Sequence, residues 1–192
     1  SRTEIDRMLE QKGWPKEYIL FVGTLEPRKN LSLLVRARAM MKTDIPLLMT
    51  GWTGWGEKAW LDEIETLGLR NRVILTGYLD DETLACLYAG AAALIYPSFY
   101  EGFGLPILEA MACGCPVVCS NCASLPEVAG DAALLIDPHD AEGLAHAIEE
   151  VLHDSKMREQ LIAAGFRRSS LFSWNKTARE TLQIFEGVSD SH

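Results

Sequence analysis

Two acids with seven residues between them bracket a glycine-rich turn in Pro97-Ser-Phe-Tyr-Glu101-Gly-Phe-Gly-Leu-Pro-Ile-Leu-Glu109. The turn leads into a helix whose first positions hold Pro106, where a missing amide costs nothing. The amides of Phe103, Gly104 and Leu105 should then point outward from the positive end of that helix, an arrangement that attracts phosphate or the polar edge of a sugar. Gly102 and Gly104 allow the backbone to approach a ligand closely. A carboxylate accepts two hydroxyl hydrogen bonds, and each charge-assisted bond is worth roughly 1.5–3 kcal/mol. Paired hydroxyls are what ribose and hexose offer. On spacing alone, a helix-capping acid and a solvated one are the better explanation of Glu101 and Glu109.

Positive charge is concentrated in a second loop, Gly23-Thr24-Leu-Glu-Pro-Arg28-Lys29-Asn30, which leads into a helix at Leu31. A guanidinium forks onto phosphate oxygens and an ammonium acts as a point charge, so Arg28 and Lys29 suit a diphosphate. Taken alone, the run reads equally well as an exposed basic turn. Other motifs are weaker. Gly51-Trp-Thr-Gly-Trp-Gly-Glu-Lys58 approaches a P-loop, but Glu57 stands where lysine is required and Ala59 cannot ligate magnesium. A flexible loop with Trp52 and Trp55 over a pocket edge is expected there. Cys113, Cys115, Cys119 and Cys122 cluster, yet Cys119 ends an apolar strand signal and Cys113 closes a helix, so they read as small buried hydrophobes. His146 and His153 share a helical face without an evident carboxylate or cysteine partner, and neither they nor His139 and His192 suggest a metal.

The elements that must hold these loops alternate. Strands are expected at Tyr18–Val22, Pro46–Thr50, Arg72–Thr76, Ala92–Tyr96, Pro116–Ser120 and Ala132–Ile136. Helices are expected at residues 1–13, Leu31–Lys42, Glu57–Leu67, Asp81–Ala89, Leu105–Cys113 and Leu125–Val128. The strands are nearly continuous in apolar residues, which fits helices on both faces of a parallel, doubly wound, six-stranded Rossmann-like α/β sheet. Three further helices, Ala141–His153, Lys156–Arg168 and Trp174–Glu186, close the chain, with Asp140 and Ser173 as caps and Gly187–His192 as a frayed end. In such sheets ligands bind at the carboxyl ends of the strands, where both charged loops fall.

Composition narrows the function. The chain has 192 residues, 48% hydrophobic and 23% charged, enough for one domain with a full core but tight for two. A net charge of −9 argues against nucleic acid and anionic membrane surfaces, so an anionic ligand must be caught locally. Residues 83–100 and 102–126 are nearly free of charge, but glycines and prolines interrupt both, and buried elements explain them better than a membrane span. The charged, amphipathic opening of residues 1–13 does not read as a secretory leader, so a cytoplasmic location is expected. Glycines in the first loop do not form a dinucleotide fingerprint, which disfavours a dehydrogenase.

Five segments, in order, resemble the carboxyl-terminal domain of the GT-B glycosyltransferases of retaining family 4. They are the Glu101-to-Glu109 pattern, the Gly-Thr-Leu-Glu-Pro-Arg-Lys-Asn run, Thr76-Gly-Tyr-Leu-Asp-Asp-Glu-Thr-Leu, Pro116-Val-Val-Cys-Ser-Asn and Leu125-Pro-Glu-Val-Ala-Gly-Asp-Ala-Ala. The resemblance runs from about Tyr18 to Glu186 and implies a helical lead-in or linker (1–17), a nucleotide-sugar-binding domain (18–172) and a crossover helix with tail (173–192). By resemblance, Glu101 binds hydroxyls of the donor sugar beside the amides of Gly102, Phe103 and Gly104, and the Leu105 amide faces the diphosphate. Glu109 takes the ribose hydroxyls, and Arg28 and Lys29 neutralise the leaving diphosphate. Gly23 and Thr24 border the phosphates, and Gly77, Tyr78 and Leu79 lie against the base. One departure matters: the family often carries arginine where this chain has Thr24, which shifts weight onto Arg28.

The activity so implied is hexosyl transfer with retention, mannose favoured, from a nucleoside-diphosphate sugar to a glycan or lipid-linked acceptor in cell-surface polysaccharide synthesis. No cofactor is expected; with no Asp-x-Asp triplet in the chain, the cationic loop and helix end do the work of a metal. The acceptor and a helpful histidine belong in the family to an amino-terminal domain outside this chain. The chain by itself is therefore expected to bind nucleotide without turning over sugar, and the missing domain could bring it to the inner face of the membrane. A nucleotide-sugar epimerase of the same fold and a non-catalytic binding module remain as alternatives.

Overall fold

The computed structural model describes residues 1–56 and 58–189. Six strands alternate with helices: α1 (Arg2–Lys12), β1 (Ile19–Val22), a 3₁₀ turn (Pro27–Lys29), α2 (Leu31–Met40), β2 (Leu47–Thr50), α3 (Lys58–Thr66), β3 (Val73–Gly77), α4 (Asp81–Gly90), β4 (Ala93–Tyr96), α5 (Leu105–Ala112), β5 (Val117–Ser120), α6 (Leu125–Ala129) and β6 (Leu134–Ile136). Three helices follow, α7 (Ala141–His153), α8 (Ser155–Ser169) and α9 (Trp174–Ser189). All strand pairs are parallel, in the order β3-β2-β1-β4-β5-β6, the doubly wound Rossmann-like sheet expected from the alternation.

The interior strands β1, β2, β4 and β5 are buried at every position, as strands covered on both faces must be. The edges are not: Leu75 on β3 is 47% exposed and Leu135 on β6 is 41% exposed, because an edge strand lies beyond the reach of the helix layers. Strands begin one or two residues later than periodicity predicts. Pro46 and Pro116 have no amide to join a ladder, though their carbonyls accept from Ile19 and Leu94.

One face of the sheet packs Phe21, Leu34, Met49, Trp60, Ile95, Val118 and Ile148. The other packs Leu9, Leu20, Leu48, Tyr88, Leu94, Tyr96, Ile107 and Val117. Alternate residues of β1 thus serve opposite cores. Helix α1, read from the sequence as a lead-in, contributes Ile5 and Leu9 to the second core.

Asp140 and Asp154 cap α7 and α8 by accepting the Gly143 and Met157 amides, and Ser173 accepts from the Lys176 amide. Asp154 starts α8 one residue earlier than expected. The last helix runs through Ser189 where a frayed end was expected; Asp190, Ser191 and His192 lie outside the described residues, as does Glu57. Trp174, Leu182, Ile184 and Phe185 on α9 are all more than half exposed. No helix among the described residues is long and apolar enough to cross a membrane.

Strands β1 and β4 are where the sheet changes winding direction. Their paired register ends at Leu20 and Leu94, while both strands continue to Val22 and Tyr96. Beyond that point the strands part, and a crevice opens at their carboxyl ends.

Candidate donor-binding site

The loops after β1, β4, β5 and β6 are hydrogen-bonded to one another at that end of the sheet. The Pro27–Lys29 turn presents Arg28 and Lys29 to the acid that precedes α5: Arg28 Nη1 donates to Glu101 Oε2 at 2.7 Å, and Lys29 Nζ donates to Glu101 Oε1 at 2.6 Å. The sequence reading kept cations for phosphate and an acid for sugar as two neighbouring features. They form one cluster. Arg28 also donates to the Tyr100 carbonyl and pairs with Glu26, and its side chain is 45% exposed, whereas Lys29 is buried. The two basic residues are therefore unequal: one faces the crevice and the other supports its floor.

Burial by itself pushes the Glu101 carboxyl up, but the hydrogen bonds from Lys29 and Arg28 outweigh it and hold the group below its ordinary range. Burial lowers the Lys29 ammonium, and Glu101 only partly restores it. Tyr96, at the end of β4 and fully buried, accepts from Lys29 Nζ at 2.7 Å and places its ring 4.8 Å from that nitrogen. Nothing in the sequence singled Tyr96 out, since a tyrosine ending an apolar strand reads as core.

The helix end matches the expectation. Gly104 caps α5 with φ of 106°, which only glycine adopts readily, and a Cβ there would come within 2.9 Å of Leu125. Gly102 faces open space. Among the described residues nothing accepts from the amides of Gly102, Phe103, Gly104 or Leu105. Ser124 holds the turn by donating to the Glu101 and Phe103 carbonyls, both at 2.9 Å.

Asn30 ties the loops together. Its Nδ2 donates to the Pro97 carbonyl at 3.1 Å and the Pro138 carbonyl at 2.7 Å, joining the loops after β1, β4 and β6. It does so from a left-handed backbone (φ 57°), which asparagine tolerates better than most residues. Replacing Asn30 by alanine removes two buried hydrogen bonds and adds backbone strain, so a loss of about 2–4 kcal/mol is expected in urea unfolding. A loss below about 1 kcal/mol would show that the loops hold without it.

Gly23 and Gly51 meet at the crevice wall, where a Cβ on Gly51 would fall 2.1 Å from the Gly23 carbonyl oxygen. The exposed Thr24 follows Gly23. A bulge between Met49 and Thr50 offsets the register with β3 and aligns Thr50 with Gly77. Tyr78 and Leu79 follow, and the exposed Tyr78 ring stacks on Trp52 at 4.9 Å and 22°. The segment after β2 is thus held at Trp52 by that stack and at Thr53 by a bridge to Leu25.

Glu109 stands exposed one turn into α5 and accepts from the Tyr88 hydroxyl at 2.9 Å. With Phe103, Leu105, Leu108, Phe172 and Trp174 it lines a groove of about 480 Å³. Elsewhere, Cys115 and Cys119 are buried and burial raises both thiols, Cys119 to about 12. Cys122 donates to the Ser98 and Phe99 carbonyls. His146 has the carboxylate partner that the sequence reading missed, Glu150 one turn on at 3.6 Å.

Several known proteins are similar to this chain in sequence and fold. O-antigen chain mannosyltransferase B of Escherichia coli is 42% identical over 92% of this chain and 47% of its own length. MMP alpha-(1->4)-mannosyltransferase of Mycolicibacterium hassiacum is 36% identical over 92% of this chain and 44% of its own. The chain thus spans about half the length of these curated relatives. Among solved structures, HepE of Anabaena in complex with UDP and glucose superposes with a TM-score of 0.84 at 26% identity, over 99% of this chain and 53% of HepE. Sucrose-phosphate synthase of Thermosynechococcus elongatus gives 0.82 at 30% identity, over 97% and 49%. The model of the family "Glycosyl transferases group 1" matches residues 4–168, all six strands and both charged loops among them, and the chain belongs to that family.

Proposed function

We propose that this chain is the donor-binding part of a retaining, metal-independent hexosyltransferase that takes mannose from a nucleoside-diphosphate sugar for cell-surface polysaccharide. The observation that carries the reading is the meeting of Arg28, Lys29 and Glu101 beside the amides that open α5, from which no described residue accepts. Breaking the sugar–phosphate bond builds negative charge on the departing oxygen and positive charge on the anomeric carbon. Arg28 and the α5 amides face the first, and the Glu101 carboxylate faces the second. In this reading Glu101 positions the sugar and stabilises charge, with no covalent bond to it, and the departing phosphate assists deprotonation of the acceptor.

Glu109 takes the ribose hydroxyls, and the base lies against Gly77, Tyr78 and Leu79, where the Trp52–Tyr78 stack offers a flat face. The mannosyl preference is supported by the activities named for the two relatives, and a diphosphate donor by the UDP held by HepE. Acceptor recognition, of a glycan or lipid-linked sugar, is assigned to the part of the longer relatives that this chain does not cover.

The test is a titration of the chain with guanosine, uridine and adenosine diphosphates and their hexose conjugates. One base should be preferred, EDTA should leave its affinity unchanged, and tryptophan fluorescence should fall on binding by an amount that Trp52→Phe removes. Absence of binding at millimolar nucleotide would end the donor reading. Loss of binding in EDTA would end the metal-independent one.

A further inference from the structure

Helix α4 carries no residue that its sequence marks for ligand chemistry, yet one of its side chains reaches the α5 acid. Tyr88 is 2% exposed, packed in the core with Leu87, Leu94 and Ile107, and its hydroxyl donates to Glu109 Oε2 at 2.9 Å. The backbone that carries Tyr88 is pinned. Tyr18 donates to the adjacent Leu87 carbonyl at 2.9 Å, and Gly90 leaves so little room that a Cβ there would lie 2.6 Å from the Tyr18 hydroxyl. Burial, with Glu109 adding to it, holds the Tyr88 phenol far above the ordinary tyrosine range. The hydroxyl therefore keeps its proton and donates a hydrogen bond to the Glu109 carboxylate.

A glutamate on an exposed helix flank normally samples many rotamers and must lose that freedom when a ligand arrives. Glu109 is exposed, but its carboxylate is already tethered from beneath. The tether uses one site on Oε2, while each carboxylate oxygen can accept two hydrogen bonds. No hydrogen bond from a described residue reaches Oε1. The carboxylate is thus fixed in place with acceptor capacity left over on its outer side.

We infer that Tyr88 is a positioning residue for ribose recognition: its hydroxyl holds Glu109 so that the carboxylate meets the vicinal hydroxyls of the donor nucleoside already oriented. This rests on the reading of Glu109 as the ribose acceptor, and the test separates the two. The 192-residue chain and its Tyr88→Phe variant are titrated with GDP and UDP and with their 2′,3′-dideoxy counterparts.

In the native chain, loss of both hydroxyls should weaken binding of the preferred nucleotide by about 10–100-fold, the range expected for charge-assisted hydrogen bonds. Tyr88→Phe should weaken the ribonucleotide by about 5–10-fold, the value of better orientation, and leave the dideoxy form unchanged. In a Glu109→Ala background, Tyr88→Phe should add nothing. Unchanged dideoxy affinity also shows that the variant folds. If Tyr88→Phe weakens both nucleotides alike, or leaves the ribose discrimination intact, the inference is overturned while Glu109 keeps its role. If the native chain does not discriminate at all, the ribose reading of Glu109 fails and the inference falls with it.

Discussion

Replacing Glu101 by alanine is expected to destabilise the chain by about 3–5 kcal/mol, because it strands a buried ammonium. Lys29 is 4% exposed, and its remaining hydrogen-bond partner is the neutral Tyr96 hydroxyl. The cost should be largely reversed in Glu101→Ala/Lys29→Met, since removing both charges restores balance, so the two changes should be strongly non-additive. Urea unfolding of the two single variants and the double measures this directly. Additive losses would mean that the pair does not act as a unit.

The pH dependence has a definite sign. Glu101 is held below its unfolded value, so its stabilising contribution is complete above about pH 4.3, the ordinary glutamate range, and is lost as pH falls through the lower folded value. The stability gap between the native chain and Glu101→Gln should therefore close in acid. In the Glu101→Ala variant the lysine loses the partner that raises it, so its depressed titration should drop further. A folded state that binds fewer protons gains stability as pH rises, and the variant should recover in alkali relative to neutral pH. Under the proposed function, Glu101→Ala in an enzyme of the relatives' full length should reduce sugar transfer by roughly 100–1000-fold, the range for removing a preorganised charge-stabilising group. Near-normal turnover would remove Glu101 from the mechanism.

Arg28→Ala should behave in the opposite way, costing function with little loss of fold. Its side chain is 45% exposed and its ion pairs with Glu26 and Glu101 are screened by solvent, so a stability change below about 1 kcal/mol is expected. Affinity for a nucleoside diphosphate should nevertheless fall about 10–100-fold, while the corresponding nucleoside should bind as before. Thr24 offers no second guanidinium at the crevice, so no neighbour replaces the lost charge. Arg28→Lys should recover only part of the affinity, because an ammonium cannot fork between Glu101 and a phosphate. Equal diphosphate affinity in Arg28→Ala and the native chain would place the leaving group elsewhere.

Tyr96, Tyr88 and Asn30 show what sequence reading misses and why. Each matters through a partner more than 20 residues away: Lys29 for Tyr96, Glu109 for Tyr88, and the Pro97 and Pro138 carbonyls for Asn30. A tyrosine in an apolar strand or helix has the same local signature whether its hydroxyl meets a carbonyl or a carboxylate. The Arg28–Lys29 asymmetry is similar. Two adjacent cations look alike in sequence, but the 3₁₀ turn between β1 and α2 aims one outward and one inward. The Trp52 loop is a third case: its glycines read locally as a poor match to a P-loop, and in the fold they allow Gly51 and Gly54 to press against the neighbouring loop.

Local physics determined the elements. Apolar runs of strand length and amphipathic stretches between them require a covered parallel sheet, and glycine with proline at Gly104 and Pro106 requires a helix opening there with its amides exposed. The rule that ligands gather at strand carboxyl ends then pointed to the loops that carry Arg28, Lys29 and Glu101. Tertiary structure alone decided how those loops meet: that Glu101 stands between two cations, that Tyr88 lies under Glu109, and that one asparagine ties three loops into a single wall. The reason is range. Periodicity and turn chemistry act within a few residues, whereas charge pairing and close packing depend on distances through space that the winding of the sheet sets.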